Sequence, residues 1–393
     1  MTGRQRIINA IERKPIDRTP IDFGSHFSTG ISVFAYHNLR KYLGLSTDAI
    51  ELADTFQCLA RVDEDVLDRF HVDTILLWPG KKPFKRFTFK DGYTFDIPSS
   101  FNPERHENGE VTAVEEGGVF IKMPAGGYFF DAVPSPTPDT GSTPAPAPDP
   151  DLEPFKRGVD LMVPEARRIY HETDKYTMFM QLGACFPHDW DDLCGLYTDP
   201  GPVVEKLAVY TKYNLECAEY VIQKLGETIQ CIAINSDMGT QSAPVCGPDI
   251  YEKYILPNVK KLCSFIHNNS DCKIFLHSCG AIEPLIPYII EAGVDILNPV
   301  QISCENMAPN NLKQKYGGKI TFWGGGCDTQ RVLNFGTPKQ VAENVRELMG
   351  IFASGGGFVF NQVHNVMGDI KPENIVAMLD TAYKESFKYG SGG

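Results

Sequence analysis

Lys273-Ile-Phe-Leu-His-Ser-Cys-Gly280 reads as a short buried strand that ends in chemistry. The polar run Asn268-Asn-Ser-Asp271 precedes it and Gly280 follows, so the apolar stretch from Lys273 to Leu276 is bounded on both sides by residues that break regular structure. His277 and Cys279 stand two apart at its carboxyl end. In an extended chain, side chains two apart point to the same face, so an imidazole and a thiol are presented together where the strand opens into a loop.

A second stretch has the same plan. Thr321-Phe-Trp-Gly-Gly-Gly-Cys-Asp328 is a short apolar strand followed by small residues, then Cys327. One histidine and two cysteines would give zinc three good ligands and leave a fourth position for water or substrate, the pattern of catalytic zinc, with Asp237 as the side chain expected to reach that position. A His-x-Cys pair alone is a weak signal. Ordinary reduced thiols beside a hydrogen-bonded histidine are the competing account.

Outward from these stretches, strand and helix alternate. Met1 to Lys14 has a helical pattern that Pro15 ends, placed to cap the bottom of a barrel; Arg18 to Gly24 reads as a first strand, Val33 to Leu43 as a helix, Thr55 to Phe70 as a helix and Val72 to Trp78 as a second strand. Residues 84–130 change to alternating aromatic and polar residues with turns at Asp91-Gly92 and Asn108-Gly109, the pattern of a β-rich insertion. The Pro-, Thr- and Ser-rich residues 131–155 read as a surface loop. After it come a helix from Gly158 to Glu172 and another from Gly201 to Lys224, with strands at Tyr176 to Leu182, Thr228 to Asn235, Lys273 to Leu276, Val294 to Pro299, Thr321 to Trp323 and Gly357 to Gln362. Counted from Ile21 there are eight strands, the number that closes a parallel barrel, so residues 1–393 are read as one α/β TIM-barrel domain.

In such a barrel the functional groups follow the strands, on the carboxyl face. The strand ends are polar here: Asp22 and His26, Trp78, Cys185 and His188, Asp237 and Gln241, Asn298 and Gln301, Asp328, Asn361 and His364. Any one of them could be a loop cap, and their convergence is the stronger signal. Gly324, Gly325 and Gly326 follow a strand, so their backbone is expected to approach a bound cofactor, whereas Gly355 to Gly357 precede a strand and read as a turn on the opposite face. Phe23 and Trp78, near the first two strands, suggest contact with an apolar substrate, although core packing accounts for each one taken alone.

Composition narrows the class further. A formal net charge of -13 argues against a surface for nucleic acid or anionic membrane, because both need clustered Lys and Arg. Eleven cysteines at scattered spacings do not form a disulfide framework, and a reducing cytoplasm is the expected compartment. No apolar run reaches the ~18 residues of a membrane span. A homo-oligomer is left open.

The sequence resembles the uroporphyrinogen decarboxylase superfamily, which includes zinc- and corrinoid-dependent methyltransferases. The resemblance rests on Asp237-Met-Gly-Thr-Gln241, Phe275-Leu-His-Ser-Cys-Gly280, Gly293-Val-Asp-Ile-Leu-Asn-Pro-Val-Gln301, Phe322-Trp-Gly-Gly-Gly-Cys-Asp-Thr-Gln330 and Gln362-Val-His-Asn365. It implies a TIM barrel with His277, Cys279 and Cys327 as the zinc ligands of the methyltransferase branch. It also implies transfer of a methyl group from a small methylated substrate, such as an aryl methyl ether, to the Co(I) corrinoid of a partner protein, with Asp237 or His364 orienting or protonating the ether oxygen. His26, Gln241, Asn298, Gln301 and Asp328 are the expected substrate contacts beside Phe23 and Trp78. Methyl transfer from methylcobalamin to a thiol, or metal-free decarboxylase or lyase chemistry, are the alternatives. The tetrapyrrole decarboxylases carry an arginine-rich segment after the first strand, and here residues 21–39 contain no arginine, so a polyanionic substrate would lack its clamp.

Overall fold

The computed structural model describes residues 1–79, 83–115, 118–132, 151–187 and 189–390. Its centre is a parallel sheet of six strands in sequential order: β1 (Met178–Gly183), β2 (Cys231–Asn235), β3 (Lys273–His277), β4 (Ile296–Asn298), β5 (Thr321–Trp323) and β6 (Phe358–Val359). The helices Pro200–Leu225, Leu256–Asn269, Ile286–Ala292, Pro309–Tyr316 and Pro338–Phe352 connect successive strands. The register of β2 on β3 runs from Cys231 opposite Lys273 to Asn235 opposite His277.

The two expected strands at the start of the chain are reduced to single bridges. Ile21 pairs in parallel with Phe360, just past β6, and Thr74 with Tyr176, just before β1. The Asp73 N–H donates to the Ile21 carbonyl at 2.8 Å, and the Tyr176 N–H donates to the Asp73 carbonyl at 2.8 Å. The first segment therefore lies beside β6 and the second beside β1, with a hydrogen bond between them.

Period-two alternation explains why two apolar clusters form rather than one. Met178, Cys231, Ala233, Phe275, Ile296, Trp323 and Val359 pack together on one face of the sheet, with Ile7 and Ile11 of the first helix. Their neighbours Ile232, Ile234, Ile274, Leu276, Leu297, Phe322 and Phe358 join the larger cluster with the connecting helices. The row that holds Phe275 continues to His277, that of Cys231 and Ala233 to Asn235, and that of Ile296 to Asn298. Three polar side chains at strand ends thus share one face because the residues two before them are apolar and buried.

Between Phe84 and Ala132 lie antiparallel strands: Phe84–Thr88 with Thr94–Pro98, and Glu104–Arg105, Val111–Val114, Phe120–Met123 and Asp131–Ala132 in a second sheet. Of the Pro-rich residues 131–155, those numbered 133–150 lie outside the described residues, as does His188. Residues 153–155 already belong to the helix Glu153–Glu172, which starts five residues earlier than its apolar pattern suggests because Pro154 is well suited to a first helical turn.

The expected helix from Thr55 to Phe70 is the clear departure. Only Glu64–Arg69 is helical, and Leu52–Asp54 pairs antiparallel with Leu59–Ala60 around a tight turn. The Asp54 carboxylate accepts the Gln57 N–H at 2.6 Å, and Cys58 takes a left-handed backbone at φ 53°. A local side-chain acceptor of this kind competes with helix formation. The turn matters because it carries Phe56, Gln57 and Leu59 to the mouth of the cavity described next.

Candidate functional site

A cavity of about 580 Å3 opens at the carboxyl ends of the strands. His26, Asn235, Asp237, His277 and His364 line it, so four of the residues singled out from sequence meet there. Asn235 was missed as a site residue; it is the last residue of a strand and lies in register with His277, a signal that the strand boundary could have supplied.

His277, Cys279 and His364 each turn one ligand atom into the same space, with all three atoms within 4.8 Å of one another. The Cys279 Sγ lies 3.7 Å from His277 Nε2, and an Asp237 carboxylate oxygen lies 3.5 Å from the same nitrogen. That oxygen also accepts the Cys279 N–H at 2.9 Å, which anchors the loop carrying the thiol. Asp237 thus stands where it can reach the cluster, as its place after β2 suggested.

The hydrogen-bond network fixes the histidine tautomers. The Asn298 amide donates to the Trp323 carbonyl at 3.0 Å, so its oxygen faces the site and accepts from His277 Nδ1 at 2.9 Å. His277 therefore carries its proton on Nδ1 and turns a bare Nε2 toward Cys279. A second ring is held similarly: the Asn235 amide donates to the Met180 and Leu182 carbonyls, and its oxygen faces His26 Nε2 at 3.1 Å. His26 Nδ1 accepts the Ser28 N–H at 3.1 Å, and Ser28 Oγ lies 2.7 Å from the Asn298 oxygen. Burial lowers the pKa of all three histidines; His364 is pushed down to about 4 by burial and by His277 beside it, and His26 falls well below the usual imidazole range. Burial and the Asp237 charge raise the Cys279 thiol.

Two neutral imidazoles and a thiol, one imidazole oriented by an amide behind it, make a donor set that suits zinc and leaves room for a further ligand. Cys327, the third ligand expected from sequence, is fully buried among outer-core residues and stands outside this cluster in the structure. Its strand turns away through Gly324 and Gly325, at φ 101° and 77°, and its carbonyl accepts the Val363 N–H at 3.0 Å. The chain alongside it is the one that delivers His364. His364, expected from sequence in acid–base work, is the third member of the cluster.

The structure places several other expected contacts in packing or in hydrogen bonds within the protein. Phe23 is buried in the outer core, and Trp78 lies behind Phe27, ring centroids 5.7 Å apart. Asn298 is fully buried and acts through His277 and Ser28. Gln301 accepts the Gly280 N–H at 2.8 Å and reaches Gln241, whose amide donates to the Ser303 carbonyl, so the two glutamines brace the loop after β3. Asp328 caps its own turn through the N–H groups of Gln330 and Arg331. In the triple glycine, a Cβ on Gly325 would meet Val300 at 2.9 Å and one on Gly326 would meet Phe360 at 2.5 Å, so glycine is required for packing there.

Among the described residues no helix is long and apolar enough to cross a membrane. Residues 195–385 match the model of the uroporphyrinogen decarboxylase (URO-D) family, and that stretch is a URO-D family domain. Its relatives include a uroporphyrinogen decarboxylase of Pseudoalteromonas atlantica, 22% identical over 187 residues, covering 44% of this chain and 49% of that protein. One from Pseudoalteromonas translucida is 28% identical over 80 residues, 20% of this chain and 22% of its own length. The matched stretches thus span about half the curated relatives' length or less. A solved methyltransferase from Methanosarcina mazei shares the fold over nearly its whole length, with a TM-score of 0.60, 14% identity, and coverage of 98% of this chain and 99% of that one.

Proposed function

We propose that this protein is a zinc-dependent methyltransferase that moves a methyl group from a small methylated donor, an aryl methyl ether, to the Co(I) corrinoid of a separate carrier protein. The observation that carries the reading is the convergence of His277, Cys279 and His364 at one end of a cavity of about 580 Å3. We read the whole chain as one eight-stranded barrel, with residues 84–130 as an insertion that helps wall the mouth. The fold shared with the Methanosarcina mazei methyltransferase supports it. The decarboxylase reading, which the curated relatives' names suggest, is disfavoured because no Lys or Arg lines the cavity among the described residues.

Zinc bound by the three side chains would act as a Lewis acid toward the ether oxygen, which otherwise leaves poorly. The protein's own groups do the rest. Asn298 holds His277 in the tautomer that a ligand needs, and Asp237 anchors the Cys279 loop. Met180, Val366 and the phenylalanines exclude water from the reacting end. In the transfer the O–CH3 bond would break with its electron pair left on the oxygen, and the reduced carrier would supply the pair for the new bond to the methyl carbon.

Protein purified without added metal should contain one zinc per chain, and with a reduced corrinoid protein and a methoxylated aromatic it should yield the free phenol while Co(I) absorbance is lost. Activity in a metal-free preparation would rule this reading out. Rapid demethylation of methylcobalamin by a thiol, with no Co(I) loss from any ether, would favour the thiol-methylating alternative. Asn298→Leu should lower zinc affinity by about 10–100-fold, the usual cost of losing an orienting partner behind a ligand, as measured by competition with a chelator. Unchanged affinity would mean that the tautomer of His277 is set elsewhere.

A further inference from the structure

One wall of the cavity is assembled from three separate pieces of chain. Ser32 pairs antiparallel with Leu59, and its N–H donates to the Val366 carbonyl at 2.8 Å. Asn365, next to Val366, donates to Gln57 Oε1 at 2.9 Å, so Gln57 is tied to the same wall. All five residues line the cavity, and none belongs to the cluster of His277, Cys279 and His364.

Two polar groups of this wall have no partner among the described residues. The first is the Gln57 amide NH2. The Gly30 N–H donates to the Asn365 oxygen at 2.8 Å, which turns the Asn365 NH2 toward the Phe27 carbonyl and Gln57. Gln57 must therefore present its oxygen to Asn365, and its NH2 is left on the other side of the amide as an unused donor. The second is the Ser32 hydroxyl. The Ser32 N–H is held by Val366 and its carbonyl accepts the Tyr36 N–H at 2.8 Å, so the hydroxyl is the polar group this residue has left. Ser32 is 2% exposed, and its buried Oγ makes no hydrogen bond.

The ordinary use of such a hydroxyl does not apply here. Ser32 is the N-cap of the helix Val33–Tyr42, where a serine side chain usually accepts an N–H of the first turn, and it makes no such bond. Buried polar groups nearly always find partners, because leaving one unpaired is costly. An O–H and an NH2 on one wall, at the end of a helix whose dipole favours negative partial charge, suit an oxygen acceptor. The side chains of Phe27, Phe56, Phe129 and Leu59, which wall the cavity around them, carry no such atom.

Building on the methyl-transfer reading, in which the ether oxygen lies at the metal end, we infer that Ser32 and Gln57 form a second polar subsite that binds another oxygen on the donor's ring. The donor class is then a methoxylated aromatic with a further oxygen substituent, such as a ring hydroxyl. The test is titration calorimetry of the whole chain, as purified, with 3- and 4-methoxyphenol and with 3- and 4-methoxytoluene, in which a methyl group replaces the hydroxyl at similar size. For at least one ring position the phenol should bind about fivefold or more tighter, within the usual worth of one hydrogen bond. Ser32→Ala and Gln57→Met should each cut that ratio by about half or more, and the two together should bring it near unity. Ser32→Ala should leave the urea midpoint unchanged, since no cap bond is lost.

Equal binding of phenol and toluene at both positions, or a preference that survives in the double variant, overturns the inference; the latter result would place the recognised hydroxyl at the metal end. A lowered midpoint in Ser32→Ala with an unchanged ratio would make Ser32 a helix cap only, and overturns it as well. Incubation of the same four ethers with free reduced cobalamin reads the methyl-transfer proposal separately. Preferential binding of a phenol with no methyl transfer from any ether upholds the subsite and counts against the methyl-transfer reading. Methyl transfer from phenol and toluene ethers alike, with no difference in their binding, does the reverse.

Discussion

Cys279→Ala should leave a folded chain that no longer retains zinc and has lost methyl transfer by about 10^3-fold or more, because a Lewis acid is worth several kcal/mol and each 1.36 kcal/mol is a factor of ten. Its side chain is partly exposed at a loop on the carboxyl face, where function and stability separate most cleanly. Cys327→Ala is the informative partner. The sequence reading makes Cys327 a ligand whose loss removes metal and activity, whereas the structure buries it in the core outside the cluster. Cys327→Ala should therefore keep its zinc, keep most of its activity and lose on the order of 1 kcal/mol of stability from the small void it leaves. Elemental analysis of both variants with urea unfolding decides between the readings. Zinc lost from Cys327→Ala and kept in Cys279→Ala would reverse the assignment.

The difference between these two cysteines also marks how far the sequence could be read. His277 and Cys279 were legible because both belong to one strand end, where spacing of two fixes a common face. Choosing the third member required knowing how two different strand ends approach each other. Cys327 and His364 follow neighbouring strands, and both have chemistry that suits zinc. What sets Cys327 apart from the cluster in the structure is the left-handed turn at Gly324 and Gly325, with the bond from Val363 N–H to the Cys327 carbonyl. No periodicity encodes that choice.

The fold was legible for the same local reason. Apolar strands such as Cys231–Asn235 and Lys273–His277 are bounded by turn residues and recur at regular intervals, and their observed limits lie within a few residues of those read from pattern. The first two segments and residues 55–63 were less so. Ile21 and Thr74 make only single bridges, and the Asp54 side chain competes with the helix that the apolar spacing of 55–70 suggested. The aromatic wall of the cavity was missed in consequence, because Phe56 falls inside that expected helix, whereas the turn places it at the mouth.

Asp73→Ala should be the most destabilising single change at a distance from the cavity, at about 3–5 kcal/mol, the usual cost of removing one partner of a buried ion pair. The Asp73 side chain is 3% exposed and accepts from Arg6 Nη1 at 2.5 Å and from both Arg18 terminal nitrogens at 2.8 and 2.9 Å. Its carboxylate also accepts the Ile21 N–H at 2.8 Å, and its backbone bonds to Ile21 and Tyr176. The residue thus ties the first segment to the second and the second to β1, where regular strand pairing is sparse. Truncation would leave the Arg18 guanidinium, 8% exposed, with only the Thr19 and His71 carbonyls, while Arg6 would keep Asp17. The cost should therefore fall mainly on Arg18, and Asp73→Ala combined with Arg18→Leu should recover part of it, because two apolar groups can replace a buried pair at little net loss. Urea unfolding should report a lower midpoint for Asp73→Ala with an unchanged slope. A loss below about 1 kcal/mol, or a double variant less stable than the sum of the single changes, would mean that this charge cluster does not hold the first two segments in place.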